Sequence, residues 1–459
     1  MDVKSEIKNS PMSRFQIVTV TICLVLIMID GFDVLVMSFT APTLSAEWKV
    51  PPIELGYLLS AGLFGMSAGS ILLTPLADKI GRRNLTLLAL SIISVGMILS
   101  VTAADVPQLI AYRVFTGLGI GGMIANLSVL VSEYSSDRRR GMAMGIFSAG
   151  YPIGGAVGGV IAGSLIAAYG WRAAFVFGAV VSVAMLIASW FLLPESLEYL
   201  AEKGSNRSLP AINKILGRMG RPHLSELPAA PSLEQNTGSV FKEVFGPKML
   251  SRTLLVWTGY AFLIAAFYFA NTWTPKIMAE AAGNNQLGVT AGILVSTGGI
   301  VGALGFGVLS TWVKSRLLNT LCLVVAGIAY IAFAGSFGAT GLALALATLV
   351  GMLTNAGVAG YYTIVPPLYS AKARASGFGW MIGVGRLVSI VAPILVGYLI
   401  AAGMPPVTIF YLFAVPLFLS ALCCVALGRV LGRRDSMDSA PTEGENNSRT
   451  PVSEPSEAR

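Results

Sequence analysis

Twelve apolar runs, each close to the length a helix needs to cross a bilayer, leave this chain the fewest choices. A hydrocarbon core of about 30 Å takes about 20 residues of helix. The runs cover Phe15 to Thr40, Glu54 to Leu76, Leu85 to Ala103, Pro107 to Val131, Met142 to Ala168, Ala173 to Leu193, Thr253 to Trp273, Leu287 to Trp312, Leu317 to Phe337, Leu342 to Pro366, Ser376 to Ala401 and Val407 to Leu427. The chain is therefore expected to be all-α, a polytopic membrane protein of twelve helices. Composition agrees, with 54% hydrophobic and 12% charged residues, where soluble proteins carry about 25% charge. An ordinary soluble fold, a disordered chain, a coiled coil and a disulfide-stapled secreted module are excluded. The four cysteines, Cys23, Cys322, Cys423 and Cys424, lie inside apolar runs without metal-ligand spacing and read as filler, so no metal site is expected.

Of the 31 lysines and arginines, 26 fall on the side of the membrane that holds the N-terminus, and only Lys49, Arg172 and Lys276 fall on the other. The positive-inside rule then puts both termini in the cytoplasm, with the chain in the cytoplasmic (inner) membrane. The net charge of +8 is spent on orientation in lipid, and no nucleic-acid partner is expected. The first run is too long, and carries two aspartates, for a cleaved signal peptide, so it is expected to stay attached. The layout divides into a cytoplasmic tail (1–14), a six-helix bundle (15–193), a cytoplasmic linker (194–252) with short helical patterns such as Ala211 to Met219, a second six-helix bundle (253–428) and a tail (429–459) disordered by composition.

The two bundles echo each other. The stretch "VSEYSSDRRRGMAMG", between spans four and five, is answered by "PPLYSAKARASGFGW" between spans ten and eleven. Parallel halves of six spans place a substrate site near the bilayer midplane, between bundles that rock against each other.

An ionisable group inside a span costs about 2.5–3.5 kcal/mol on insertion scales and is a functional candidate by default. Four stand out: Asp30, Asp33, Arg113 and Arg386. Asp30 and Asp33, three residues apart, share one helical face, an arrangement suited to coupling with protons. Asp33 lies about 10 Å from the outer end of span one and Arg113 about 9 Å from the outer start of span four, so the two are able to meet. Protonation of Asp30 or Asp33 would loosen that pairing. Arg386, about 15 Å into span eleven, is near the midplane, where a guanidinium that cannot deprotonate suits an anionic substrate. Cavity-lining candidates are Phe32, Tyr57, Asn126, Trp273, Asn355, Tyr361 and Trp380, with Phe64, Asn271 and Tyr362 beside them. Their aromatic faces stack on a ring, and an amide in a span needs an internal partner. The small residues of "GIFSAGYPIGGAVGGVIAG", Gly145 to Gly163, recur at the spacing of close helix packing.

The stretch "GSILLTPLADKIGRRN", Gly69 to Asn84, resembles the signature loop between spans two and three of the major facilitator superfamily. The resemblance implies that fold, with Asp78, Gly81, Arg82 and Arg83 as a turn and latch that gate rocking, and Pro152 as a hinge in span five. The second-half copy, "GVLSTWVKSRLLN", lacks the acidic residue, and no latch role is carried into it. "DGFD" at Asp30 to Asp33, "RVFTGLGIGGMIANLSVLVSEY", "NTWTPKIM" and "GFGWMIGVGRLVSIVAPILVGYL" together resemble the aromatic acid:proton symporter family, over most of Val20 to Leu427. That resemblance implies import of an aromatic carboxylate of the hydroxybenzoate class, driven by the proton gradient without a cofactor, and a monomer suffices for the fold. An exporter of organic anions or drugs by proton antiport, and an importer of a non-aromatic acid such as muconate, would use the same fold. An enzyme is disfavoured, because the spans hold no histidine or cysteine constellation. "GLGIGG" follows no strand and is no dinucleotide fingerprint, and His223, the sole histidine, sits in the linker.

Overall fold

The computed structural model describes residues 12–204, 208–225, 243–246, 249–369 and 373–438, without the side chains of 137–139, 141, 375 and 431–438. Twelve long helices carry the described chain: α1 (Arg14–Trp48), α2 (Pro52–Leu72), α3 (Arg82–Thr102), α4 (Val106–Tyr134), α5 (Asp137–Tyr169), α6 (Arg172–Leu192), α7 (Leu250–Ala282), α8 (Asn285–Leu309), α9 (Ser315–Gly335), α10 (Thr340–Ile364), α11 (Arg374–Ala401) and α12 (Pro406–Asp438). All twelve positions have helices long and apolar enough to cross a membrane, as the runs predict. Large apolar side chains such as Ile71, Phe191 and Leu387 stand fully exposed along them, a surface only lipid would cover.

Local chemistry sets the starts. Ser13 caps α1 reciprocally with Gln16, at 2.9 and 3.3 Å, Asp105 caps α4 through the Gln108 amide at 2.8 Å, and Pro52 opens α2 at a position whose N–H would be unpaired anyway. Two ends differ from expectation. α1 continues past Thr40 to Trp48, because Thr40 and Ser45 return their hydroxyls to carbonyls of their own turn and so cost the helix little. α12 continues to Asp438, past residue 429 where the tail was expected to begin, through a leucine- and arginine-containing stretch that favours helix. Residues 1–11, 226–242 and 439–459, which hold most of the expected tails and part of the linker, lie outside the described residues. The linker forms helices at Leu197–Lys203 and Ser208–Arg218, the second close to the expected pattern.

Packing follows one scheme twice. In the first half α1 packs on α5, α2 on α4 and α3 on α6; in the second α7 packs on α11, α8 on α10 and α9 on α12. Small residues let backbones touch: a Cβ at Gly31 of α1 would overlap the Tyr151 carbonyl of α5, and one at Gly154 would overlap the Met28 carbonyl in return.

The halves meet along α2–α11, α5–α8 and α1–α7. These seams are closed at the end of the bundle away from the chain termini. Tyr57 and Tyr398 share a hydroxyl hydrogen bond of 2.8 Å, Ser60 donates to the Ile390 carbonyl at 2.8 Å, and Ser38 donates to the Asn271 and Thr272 carbonyls at 2.7 and 2.8 Å. Towards the terminal end the halves spread, and a Cβ built at Gly379 or Gly383 of α11 or at Gly145 of α5 would meet no other described atom within 4 Å. The bundle is thus shut at the far end and open at the terminal end.

Candidate transport site

α1 brings Asp30 and Asp33 to one face near mid-membrane, and the structure treats them differently. Asp33 is locked to Arg113 of α4: Nη1 donates to Oδ1 at 2.8 Å, Nη2 to Oδ2 at 2.9 Å, and Nη2 also to the Asp33 carbonyl at 2.7 Å. Both side chains are fully buried, with exposures of 1% and 0%. The Phe175 ring lies 5.8 Å from the guanidinium carbon, and Met97 Sδ is 3.9 Å from Nη1. A buried pair offsets its desolvation only through close geometry of this kind, and of this pair only the Arg113 Nε is left without a partner among the described residues. Asp33 and Arg113 thus meet, as their depths along α1 and α4 predict.

Asp30 is equally buried, but among the described residues neither carboxyl oxygen has a hydrogen-bond partner, and it does not join Arg113. An uncompensated carboxylate in such a medium is costly. The positive charge that reaches it is Arg386, from α11 in the opposite half. Arg386 is half-buried and donates once, from Nη1 to the Met66 carbonyl of α2 at 3.1 Å. It has no ion-pair partner among the described residues, which leaves most of its donor fork unused. An acid and a guanidinium, each without an ion-pair partner among the described residues, thus lie within electrostatic reach of each other from opposite halves.

Tyrosines complete the surroundings, and nothing in the sequence sets them apart from other tyrosines in apolar runs. Tyr151 packs its backbone on Gly31, beside Asp30. Tyr268 lies within electrostatic reach of both Arg386 and Asp30. Tyr260 rests its ring on Gly385, next to Arg386, and its hydroxyl is 3.4 Å from that of Tyr362. Tyrosines in apolar runs look alike whether they face lipid or a cavity, so only the packing separates them.

Other lining candidates are placed elsewhere. In this state Phe32, Asn126, Trp273 and Tyr361 are buried and packed against protein, where the sequence reading expected them to line the cavity. Phe32 packs edge-on against Phe177, with ring centroids 5.3 Å apart. The Asn126 amide is used between α4 and α3, donating to the Arg82 carbonyl at 2.6 Å and to Thr86 Oγ1 at 2.7 Å. Trp273 Nε1 donates to the Pro393 carbonyl at 3.1 Å, within the closed far end. The Tyr361 hydroxyl bonds Ser420 Oγ at 2.9 Å inside the second half. Asn355 returns its amide to the Gly351 carbonyl at 3.0 Å and packs on Gly299. Tyr57 belongs to the far-end seam. Trp380 stacks on Trp257, centroids 6.0 Å apart, near the terminal end. Of the secondary candidates, Phe64 and Tyr362 are exposed and Asn271 bonds its own helix.

The loop between α2 and α3 is tied within the first half. Asp78 pairs with Arg82 at 3.5 Å on an exposed surface. Gly81 adopts φ +97°, which favours glycine, and Glu195 fills the place a Cβ would take. Arg83 caps the end of α6, donating to the Leu193 carbonyl at 2.9 Å and to that of Trp190. Glu195 in turn accepts the Arg83 amide at 3.0 Å, and Glu133 of α4 accepts Ser196 Oγ at 2.8 Å and the Leu197 amide at 3.0 Å. Glu133 and Glu195 were not singled out in the sequence; their anchoring of the linker depends on contacts more than sixty residues apart. Pro152 lies within α5, which continues through it to Tyr169.

The family model described as Major Facilitator Superfamily matches residues 22–345. The chain is 30% identical to a 4-hydroxybenzoate transporter of Pseudomonas putida, over 84% of this chain and 86% of that protein. It is 29% identical to a gallate transporter of the same organism, over 96% and 98%. Among solved structures, a D-xylose-proton symporter superposes with a TM-score of 0.70 at 13% identity, covering 89% of this chain and 97% of that one, which shows the fold. The twelve helices in two like-packed halves, the loop at Gly81 and these matches lead to one assignment: the chain belongs to the major facilitator superfamily, in its aromatic acid transporter family, and is a transporter rather than an enzyme.

Proposed function

We propose that this chain imports an aromatic carboxylate of the hydroxybenzoate class by proton symport, as a monomer in the cytoplasmic membrane with both termini in the cytoplasm and without a cofactor. The observation that carries the reading is that Asp30 and Arg386, from opposite halves and without ion-pair partners among the described residues, lie within electrostatic reach of each other. The names of the relatives support the substrate class.

The chemistry follows from charge balance. When Asp30 is ionised, its charge compensates Arg386. A substrate carboxylate that binds the open side of the guanidinium takes over that role through charge-assisted bonds, and Asp30 then holds a proton so that the site stays neutral. One proton moving with one monoanion transfers no net charge. The Asp33–Arg113 pair keeps α1 fixed on α4 meanwhile, so that Asp30 exchanges its proton against a rigid frame. Alternating access then consists of closing the terminal end while the Tyr57–Tyr398, Ser60–Ile390 and Ser38–α7 contacts release at the far end.

The test is uptake of labelled 4-hydroxybenzoate into proteoliposomes under an imposed inward proton gradient. Accumulation that an ionophore abolishes is the expected result. No accumulation, with faster loss of preloaded anion, overturns the import reading in favour of an exporter.

A further inference from the structure

Tyr151 and Tyr268 pack their rings against the core but leave their hydroxyls without hydrogen bonds among the described residues. Tyr151 comes from α5 in the first half and Tyr268 from α7 in the second, and both are half-buried. Other buried tyrosines of the bundle do use their hydroxyls: Tyr330 donates to the Ala266 carbonyl at 2.7 Å, and Tyr134 to that of Glu195 at 2.6 Å. Two hydroxyls that stay half-open within electrostatic reach of each other and of Asp30 are therefore free to bond a ligand.

Their positions form a gradient along the site. Tyr268 is within electrostatic reach of Arg386 and Asp30, one turn before the Thr272 carbonyl that Ser38 of α1 holds. Tyr151 is packed on Gly31 and is within reach of Tyr268, Asp30 and Asp33. A planar anion gripped by Arg386 would then have both phenols in its surroundings. We infer that Tyr151 and Tyr268 form a hydroxyl-reading subsite, which bonds a ring hydroxyl remote from the carboxylate and makes the site prefer hydroxylated over unsubstituted aromatic acids. A phenol both donates and accepts, so a pair of them satisfies a substrate hydroxyl, whereas an unsubstituted ring leaves them facing apolar edge. One group from each half also means that the bound hydroxyl bridges the two bundles.

This inference rests on the proposed import of aromatic carboxylates, and its test separates the two. Full-length protein in proteoliposomes under an inward proton gradient is assayed with 4-hydroxybenzoate and with benzoate, for the parent, Tyr151→Phe and Tyr268→Phe. The parent is expected to favour 4-hydroxybenzoate, and each variant to lower its uptake efficiency by about tenfold, near the top of the range for one neutral hydrogen bond. Benzoate uptake should stay within about twofold, and the 4-hydroxybenzoate loss should appear in KM. Equilibrium binding of both acids to detergent-purified protein should repeat the same pattern, which keeps the test valid for a variant that inserts poorly. If the variants lower both acids alike, or leave their ratio unchanged while the parent transports them, the subsite is wrong and the import reading stands. If the parent accumulates neither acid, the import reading fails and the subsite with it.

Discussion

Arg113 holds Asp33 by three hydrogen bonds, two to the carboxylate and one to the backbone carbonyl, within a fully buried pair that joins α4 to α1. Removing one member leaves the other charged and uncompensated, which costs about 3–5 kcal/mol for buried pairs of this kind. Arg113→Leu is therefore expected to lower the melting temperature of the detergent-purified protein strongly. Arg113→Leu combined with Asp33→Asn should recover much of the loss, because no buried charge remains. A double variant as unstable as the single one would show that the pair acts through packing rather than charge.

Asp30 has no bond to lose. Asp30→Asn should leave the melting temperature at or above that of the parent, since an amide is cheaper to bury than an ionised acid. Gradient-driven accumulation should disappear while exchange of labelled for unlabelled substrate persists, because binding at Arg386 remains and only the proton step is gone. Proteoliposome uptake and counterflow measured on the same preparation decide this, and accumulation at the parent level would remove Asp30 from the coupling step.

Arg386 makes a single bond, to the Met66 carbonyl. Arg386→Gln should weaken binding of an aromatic carboxylate by about ten- to a hundredfold, the worth of hydrogen bonds to a charged group. Arg386→Lys should restore only part of it, since an ammonium lacks the planar fork. Titration of purified protein with 4-hydroxybenzoate reads both, and equal affinity in all three forms would place the carboxylate elsewhere.

The contrast among these residues shows how far the chain could be read in advance. Rare ionisable residues in apolar runs announce themselves, and their depth along a helix follows from a fixed rise per residue, so the meeting of Asp33 with Arg113 was within reach. That Asp30 stays unpaired was not, because the rotation of α1 depends on the contact between Gly31 and the Tyr151 carbonyl, made by residues 120 positions apart. Polar and aromatic residues are common enough in such runs that helix packing and substrate contact share one composition, which is why Asn126, Phe32, Trp273 and Tyr361 read as lining and proved to be packed. The number of helices and the division into halves were legible, since each run carries its own length signal.

Asn126 supplies a measurable form of that distinction. Its amide donates to the Arg82 carbonyl and to Thr86, so Asn126→Ala should cost about 1–3 kcal/mol of stability with KM for the transported acid unchanged. A thermal melt and an uptake curve on the same variant suffice. A KM raised tenfold at an unaltered melting temperature would return Asn126 to the substrate site.

The far-end seam sets the last expectation. A Cβ at Gly56 of α2 would lie 2.9 Å from the Pro393 carbonyl oxygen and 3.2 Å from Ile394 Cα, both backbone atoms of α11 that cannot swing aside. Gly56→Leu should thus penalise the state in which the far end is shut and leave the opposite state unaffected. An overlap worth about 1–3 kcal/mol shifts a two-state balance by about 5- to 150-fold. Ser60 lies on this seam, is 2% exposed and bonds the Ile390 carbonyl across it, so a cysteine there reports on opening. In right-side-out vesicles Ser60→Cys should react faster with a membrane-impermeant maleimide when Gly56→Leu is also present, with the four native cysteines of the parent giving the background. Uptake should fall at the same time, since a bundle that seldom closes its far end seldom delivers substrate to the terminal side. Equal labelling rates at normal uptake would mean that α2 and α11 part somewhere other than at Gly56.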